Sequence, residues 1–251
     1  MTIKLYQQDA LEFLKTLPSA SVDCIITDPA WESLQKWREV GTTTRLGGHH
    51  DPTKRREEMW FPTFADTLVP TMLKECGRVL KPGRHFYCFC DYTSLKLLVA
   101  SAPLLWQYEK PLVWDKVAPG MGYHYRAQHE FVWFAVRAGG HETHVHDKGL
   151  ADVLRAKRIV GGYPTEKPVE LCRTFIMQST EPGELVMDCF FGSGPVAVAC
   201  AELDRSFVGC DSESRAVLWA KDRVLPIHDI EVTLKEGAEI PPAEVLSEVL
   251  V

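Results

Sequence analysis

Apolar residues recur along this chain with two different periods. Ile3–Tyr6, Val22–Thr27, His85–Cys90, Glu184–Asp188 and Phe207–Cys210 are short runs rich in branched or aromatic side chains, bounded by turn residues, and predict strands. Ala10–Leu17 places Leu11, Leu14 and Leu17 on one face. Phe64–Val79, Ser94–Ala100 and Val169–Met177 also read as helices, and a small-residue helix opens at Pro195. Strands alternating with helices predict an α/β fold with a mostly parallel sheet and helices on both faces. Tyr108–Trp114 and Glu130–Val136 predict an antiparallel pair at the sheet edge.

Two stretches break the pattern. Residues 32–60 lack periodicity beyond a helical turn at Glu32–Arg38, and 139–162 is similarly irregular. Long connections of this kind usually carry function. Both are basic: Lys36, Arg38, Arg45, Lys54, Arg55 and Arg56 lie in the first, and Lys148, Arg155, Lys157 and Arg158 in the second. Tyr123 and Arg126 lie in the turn between the paired strands.

The 251 residues carry a net charge of −6, which argues against a nucleic-acid partner until its distribution is seen. Asp229, Glu231, Glu236, Glu239, Glu244 and Glu248 face only Lys235 in residues 226–251, so the first 225 are nearly neutral and their basic clusters can dominate locally. One domain over 1–225, with insertions 32–60 and 139–162 and an acidic tail 226–251, is the expected organisation. The tail includes Val245, Leu246, Val249 and Leu250 at helical spacing, suited to a homodimer contact or a cap on the core.

Eight scattered cysteines with no Cys-x-x-Cys pair read as buried thiols, and His141, His144 and His146 lack the partners of a metal site, so no metal is expected. No run approaches the ~18–20 apolar residues that span a bilayer. The N-terminal Met1-Thr2-Ile3-Lys4 lacks a signal-peptide layout, so a cytoplasmic location without a membrane partner is expected.

Candidate chemistry lies where strands end. Val22–Thr27 runs into Asp28-Pro29-Ala30-Trp31, which presents an acid, a rigid turn and an aromatic together. A planar substrate could stack on Trp31 while Asp28 accepts a hydrogen bond from its edge. Asp188 leads into the tight loop Phe190-Phe191-Gly192-Ser193-Gly194, and Asp211 follows 23 residues later. That is close to the ~20-residue spacing at which an acid reaches a ribose in nucleotide-binding βαβ units.

These segments together resemble the amino-methyltransferases that act on DNA bases. Asp28–Trp31 resembles that family's Asp-Pro-Pro-Trp/Tyr motif, Tyr163–Pro168 its His-Pro-Thr-Gln/Glu-Lys-Pro motif, and Asp188–Gly194 its Asp-Pro-Phe-x-Gly-Ser-Gly loop. Arg205–Asp211 resembles the following strand and ribose acid. The catalytic motif precedes the cofactor loop, the permuted order of the β group, which contains both adenine-N6 and cytosine-N4 enzymes. Asp rather than Ser at 28 leans towards adenine.

The resemblance implies a Rossmann-like methyltransferase fold and transfer of a methyl group from S-adenosylmethionine, leaving S-adenosylhomocysteine, to a flipped-out base in double-stranded DNA. It implies a restriction-modification setting in a prokaryotic or phage-like cytoplasm, associated with the nucleoid. Asp28, Pro29 and Trp31 become the catalytic set. Cofactor contacts fall to Asp9, Asp28, Thr165, Lys167, Asp188, Phe190, Phe191, Gly192, Ser193, Gly194 and Asp211. The basic residues above, with Tyr123, Arg126 and Trp31, become DNA contacts.

Three positions depart from the family pattern: Ala30 and Cys189 stand where prolines are usual, and Tyr163 where histidine is. Ala30 loosens the turn carrying Asp28, so reduced turnover with retained binding is one expectation, and a methyltransferase-like protein that only binds DNA is its extreme form.

Overall fold

Val22–Thr27 (β2) is buried along its whole length, as expected of a central parallel strand covered on both faces. The computed structural model describes residues 1–35, 61–102, 104–120, 124–141, 144–160 and 163–236. Neighbouring side chains of β2 point to opposite faces, and the core divides accordingly. Cys24 and Ile26 pack with the helices Val169–Ser179 (α4), Pro195–Glu202 (α5) and Ser214–Val224 (α6). Ile25 packs with Ala10–Thr16 (α1), Val69–Val79 (α2) and Tyr92–Ser101 (α3). Among the described residues, three helices therefore cover each face of one sheet.

The remaining strands are Ile3–Gln7 (β1), Leu80–Cys90 (β3), Trp106–Asp115 (β4), His129–Arg137 (β5), Val153–Arg155 (β6), Leu185–Asp188 (β7), Ser206–Asp211 (β8) and Ile230–Thr233 (β9). Their order is β6-β4-β5-β3-β2-β7-β8-β1-β9. Every described pairing is parallel except those of β5, which runs against both β3 and β4. After β2 the chain returns through α2 on one face, and after β7 through α5 on the other. The β2–β7 junction is thus a topological switch point, where loops diverge and leave a crevice beyond the strand ends.

Besides α6, which the sequence reading did not place, four elements differ from the sequence expectations. The helix read from Phe64 starts at Val69, after a 3-10 turn at Asp66–Leu68, because the Phe64 backbone is held extended against the turn after β2. Lys81-Pro82-Gly83 lies inside β3 as an irregularity, where the register against β2 slips between Val22 and Cys24. The expected edge pair β4–β5 is not outermost: β6, inside the stretch read as irregular, adds to β4. β9 lies within the stretch read as an acidic tail and pairs with β1. Both missed strands are short and half-exposed, so neither carries the apolar run that marks a strand. The Val245–Leu250 stretch lies outside the described residues, and among those residues no helix is long and apolar enough to cross a membrane.

Candidate active site

The turn after β2 is held from two sides. Phe64 N–H donates to the Ala30 carbonyl at 2.7 Å, and the Trp31 indole N–H donates to the Phe89 carbonyl at 2.9 Å. These bonds place Asp28 at the mouth of the switch-point crevice, a cleft of about 340 Å³. Trp31 is only 4% exposed, which corrects the picture of an open stacking platform. Its ring is wall rather than floor. Phe64 and Phe190, packed edge-on with centroids 5.0 Å apart, extend the apolar lining beside it.

Four charged groups form a row, three of them lining the cleft and Lys116 behind them. Lys167, just before α4, donates to the Asp28 carboxylate; its ammonium stands 3.7 Å from Glu130 at the start of β5, and Lys116, just past β4, binds Glu130 from the far side. Burial pushes the Asp28 carboxyl up to about 6, with Lys167 opposing the shift. Burial acts to lower Lys167, but Asp28 and Glu130 outweigh it and hold the ammonium above its ordinary range. Burial acts to raise Glu130, yet Lys167 and Lys116 overcome it and hold this acid low. Near neutral pH the row therefore alternates in sign.

The opposite wall is the loop after β7. Asp188 accepts from the Thr27 hydroxyl at 2.7 Å and from Phe190 N–H at 3.0 Å, tying β7 to β2 and shaping the loop. Gly192 and Gly194 have φ of 51° and 74°, the left-handed region that glycine reaches without strain. Asp211, at the end of β8, accepts from Gly192 N–H and Glu213 N–H, each at 3.0 Å. Burial pushes Asp211 up to about 6, so hydroxyl donors from a ligand would be welcome there. Thr165 is held at φ 58°, rare for a β-branched residue, and its carbonyl accepts from Lys167 at 3.3 Å. Strain of that kind concentrates at functional sites.

Asp188 also makes stability depend on pH. Burial raises its carboxyl to about 7, well above the unfolded value, so its contribution is fully present below about pH 4 and is lost as pH rises through 7. Asp188→Asn keeps an acceptor for Thr27 and Phe190 and removes the ionisation. At pH 8 it should raise Tm by roughly 4–10 °C, corresponding to about 2–3 kcal/mol, with no gain at pH 4. An unchanged difference between the two pH values in thermal melts would contradict this origin.

Asp9, Asp28, Pro29, Trp31, Thr165, Lys167, Asp188, Phe190, Phe191, Gly192, Ser193 and Asp211 all line the one cleft. Gly194 stands behind the loop as the N-cap of α5. Asp9 also caps α1, accepting from the Leu11 and Glu12 N–H groups. Arg155, Lys157 and Arg158 are exposed outside the cleft, Arg155 pairing with Asp115 at 2.9 Å. Arg126 is exposed in the β4–β5 connection, bonded to the carbonyls of Pro119 and Gly120. These four stand near the rim where β4 ends and β5 begins, the same edge of the sheet as Asp28. Lys36, Arg38, Arg45, Lys54, Arg55, Arg56 and Tyr123 lie outside the described residues. Among the described residues no group of three His, Cys, Asp or Glu could hold a metal ion.

Sequence reading missed Glu130, Lys116 and Arg223. Arg223, on α6, donates to the Ser193 carbonyl and hydroxyl and pairs with Glu166, each at 2.9 Å, clamping the glycine loop to the Tyr163–Pro168 segment. A signal existed for Glu130 alone, as an acid at the head of an otherwise aromatic strand.

A doubly wound sheet with an acid–proline turn at the switch point, a left-handed glycine loop beside it and an acid one strand further on make the chain similar to the N6/N4 amino-methyltransferases. The DNA methylase family pattern matches residues 140–222, which hold the second and third of these features. The Type II methyltransferase M.Cfr9I of Citrobacter freundii is 26% identical over 273 residues, spanning 88% of this chain and 87% of that protein. The M1.HpyAVI–SAM complex superposes with a TM-score of 0.61 at 25% identity, over 88% of this chain and 100% of the other. The PvuII cytosine-N4-specific DNA methyltransferase shares the fold, with a TM-score of 0.63 at 14% identity over 95% and 96% of the two chains.

Proposed function

We propose that the protein transfers a methyl group from S-adenosylmethionine to the exocyclic N6 of a specific adenine in duplex DNA. The observation that carries this reading is Asp28, an ionisable acceptor at the switch point, facing the Asp188–Gly194 loop and Asp211 across one cleft. Asp211 suits ribose hydroxyls, the loop backbone the amino-acid portion and Thr165 its carboxylate end, while the Lys167 ammonium is taken by Asp28, Glu130 and the Thr165 carbonyl. The cofactor supplies an electrophilic methyl group on a sulfonium.

An amine conjugated to a base ring is a poor nucleophile. Asp28 and the Pro29 carbonyl accept its N–H bonds and draw the lone pair out of conjugation, so that the nitrogen can attack in line. The target base leaves the duplex, which costs a few kcal/mol. With Trp31 and Phe64 nearly covered, the half-buried Phe190 supplies apolar contact for it. The exposed Arg126, Arg155, Lys157 and Arg158 suit the phosphates of the flanking duplex. Tritiated methyl transfer to unmethylated DNA, followed by nucleoside analysis, tests the reading: N6-methyladenine supports it, and N4-methylcytosine replaces it with the second reading, which the fold shared with the cytosine-N4 enzyme keeps in play.

Ala30 bears on the impaired alternative. The turn is pinned by Phe64 and Phe89 through tertiary bonds that do not need a second proline. Ala30→Pro is therefore expected to change the methyl-transfer rate by less than about threefold, because proline here removes little remaining freedom. A gain above tenfold would restore the view of a disabled turn.

A further inference from the structure

We propose that Glu130 is a positioning residue that shares the Lys167 ammonium with Asp28 and so keeps the Asp28 carboxylate available to the amine it must bind. Three contacts carry this. Lys167 donates to Asp28, Glu130 stands 3.7 Å from the same ammonium, and Lys116 holds Glu130 in place from outside. The Lys167 side chain is 9% exposed, so two acids divide one nearly buried cation with little help from water.

A lysine paired with Asp28 alone would close on it as a full ion pair, and an incoming amine would have to displace a charge-assisted bond. Glu130 offers that ammonium a second carboxylate. Lys116 sets how strongly, since it neutralises Glu130 from the other side. The carbonyl of Thr165, at 3.3 Å from Lys167, fixes the third direction of the ammonium.

Every element around Asp28 contributes to its charge balance. Lys167 stands in front of α4, Glu130 on β5, Lys116 past β4 and Asp188 on β7; the thiols of Cys88 and Cys90 on β3 and Cys172 on α4 are kept neutral by burial. The two substitutable charges act on Asp28 with opposite sign: Glu130 raises its carboxyl and Lys116 lowers it. Removing Glu130 should therefore make Asp28 more acidic while making it a poorer partner for the amine.

The test is carboxyl 13C NMR of Asp28 in the free full-length protein, with the signal assigned by its loss in Asp28→Asn. Glu130→Gln is expected to lower the Asp28 titration midpoint, and Lys116→Met to raise it, each by about half a pH unit or more. Opposite shifts are difficult to obtain from general damage. Shifts of the same sign, or none, overturn the proposal. Should Glu130→Gln fail to fold, the direction seen with Lys116→Met decides it.

The catalytic consequence rests on the methyl-transfer reading. In Glu130→Gln, kcat should fall about tenfold at the plateau while the acid limb moves to lower pH and cofactor affinity stays put. A full plateau kcat beside a shifted Asp28 midpoint would overturn the positioning role. Absence of methyl transfer by the unaltered protein would instead strike the functional reading, and the NMR result would still decide how Lys167 is shared.

Discussion

Asp28→Asn is expected to lower single-turnover methyl transfer by about 10²–10⁴-fold while leaving the cofactor Kd within about threefold, a loss small against the several contacts left in place. Asparagine keeps the size of the side chain and one acceptor oxygen. On the proposed mechanism it loses the negative charge that would stabilise positive charge developing on the amine as the methyl arrives. Lys167 is not orphaned by the change, because Glu130 remains beside it. The fold should therefore survive, and the defect should appear in kcat rather than in stability.

On the same reading, this side chain sets the pH dependence. With its carboxyl at about 6, Asp28 is protonated below that value and cannot accept both the amine and Lys167, so kcat/KM should rise through about pH 6 and level off above it. Asp28→Asn should show no such limb. A variant that kept more than a tenth of the rate, or the same acid limb, would remove Asp28 from the chemistry.

Gly194→Ala is expected to be strongly destabilising, although it adds only one methyl group. A Cβ at this position would stand 2.6 Å from the Ala220 Cβ, and the backbone is left-handed at φ 74°. Overpacking of about 1–3 kcal/mol adds to about 1–2 kcal/mol for an alanine forced into that region. For a chain of this size the sum lowers Tm by roughly 5–15 °C. The loop would shift with the helix it caps, so cofactor affinity should drop as well. Gly194→Ala combined with Ala220→Gly should recover the steric part only, since the backbone strain persists. A Tm within 2 °C of the unaltered protein, or no coupling between the two substitutions, would contradict the close approach of α5 and α6.

What can be read from the sequence follows the physics of each element. β2 and β7 are short apolar runs buried on both faces, and their ends are marked by Asp28-Pro29 and by the glycine loop, so the switch point is legible from residues alone. Gly192, Gly194 and Pro195 announce a turn and a helix start through backbone geometry. The groups that cross from other elements are not legible. Lys116, Glu130 and Lys167 meet only because β5 reverses and the segment before α4 folds over it; nothing in their spacing of 14 and 37 residues signals this. Periodicity places Phe64 in a helix, but one tertiary hydrogen bond to Ala30 holds it extended. Local propensity yields to such contacts wherever the backbone has a better partner elsewhere.

The reversal of β5 has a further effect on where variation can be tolerated. In a wholly parallel sheet the chain leaves the ligand side after each strand and must cross the fold before it returns. Here β4 ends and β5 begins on the same rim, so the two strands are joined without a crossover, and the described residues 116–120 and 124–128 flank that rim. Beyond Lys116, which holds Glu130, that connection can grow, shrink or be exchanged while the sheet register and the Asp188–Gly194 loop stay as they are. The fold thus separates a part that defines the reaction from a part that meets whatever is brought to it, and only the second is free to drift.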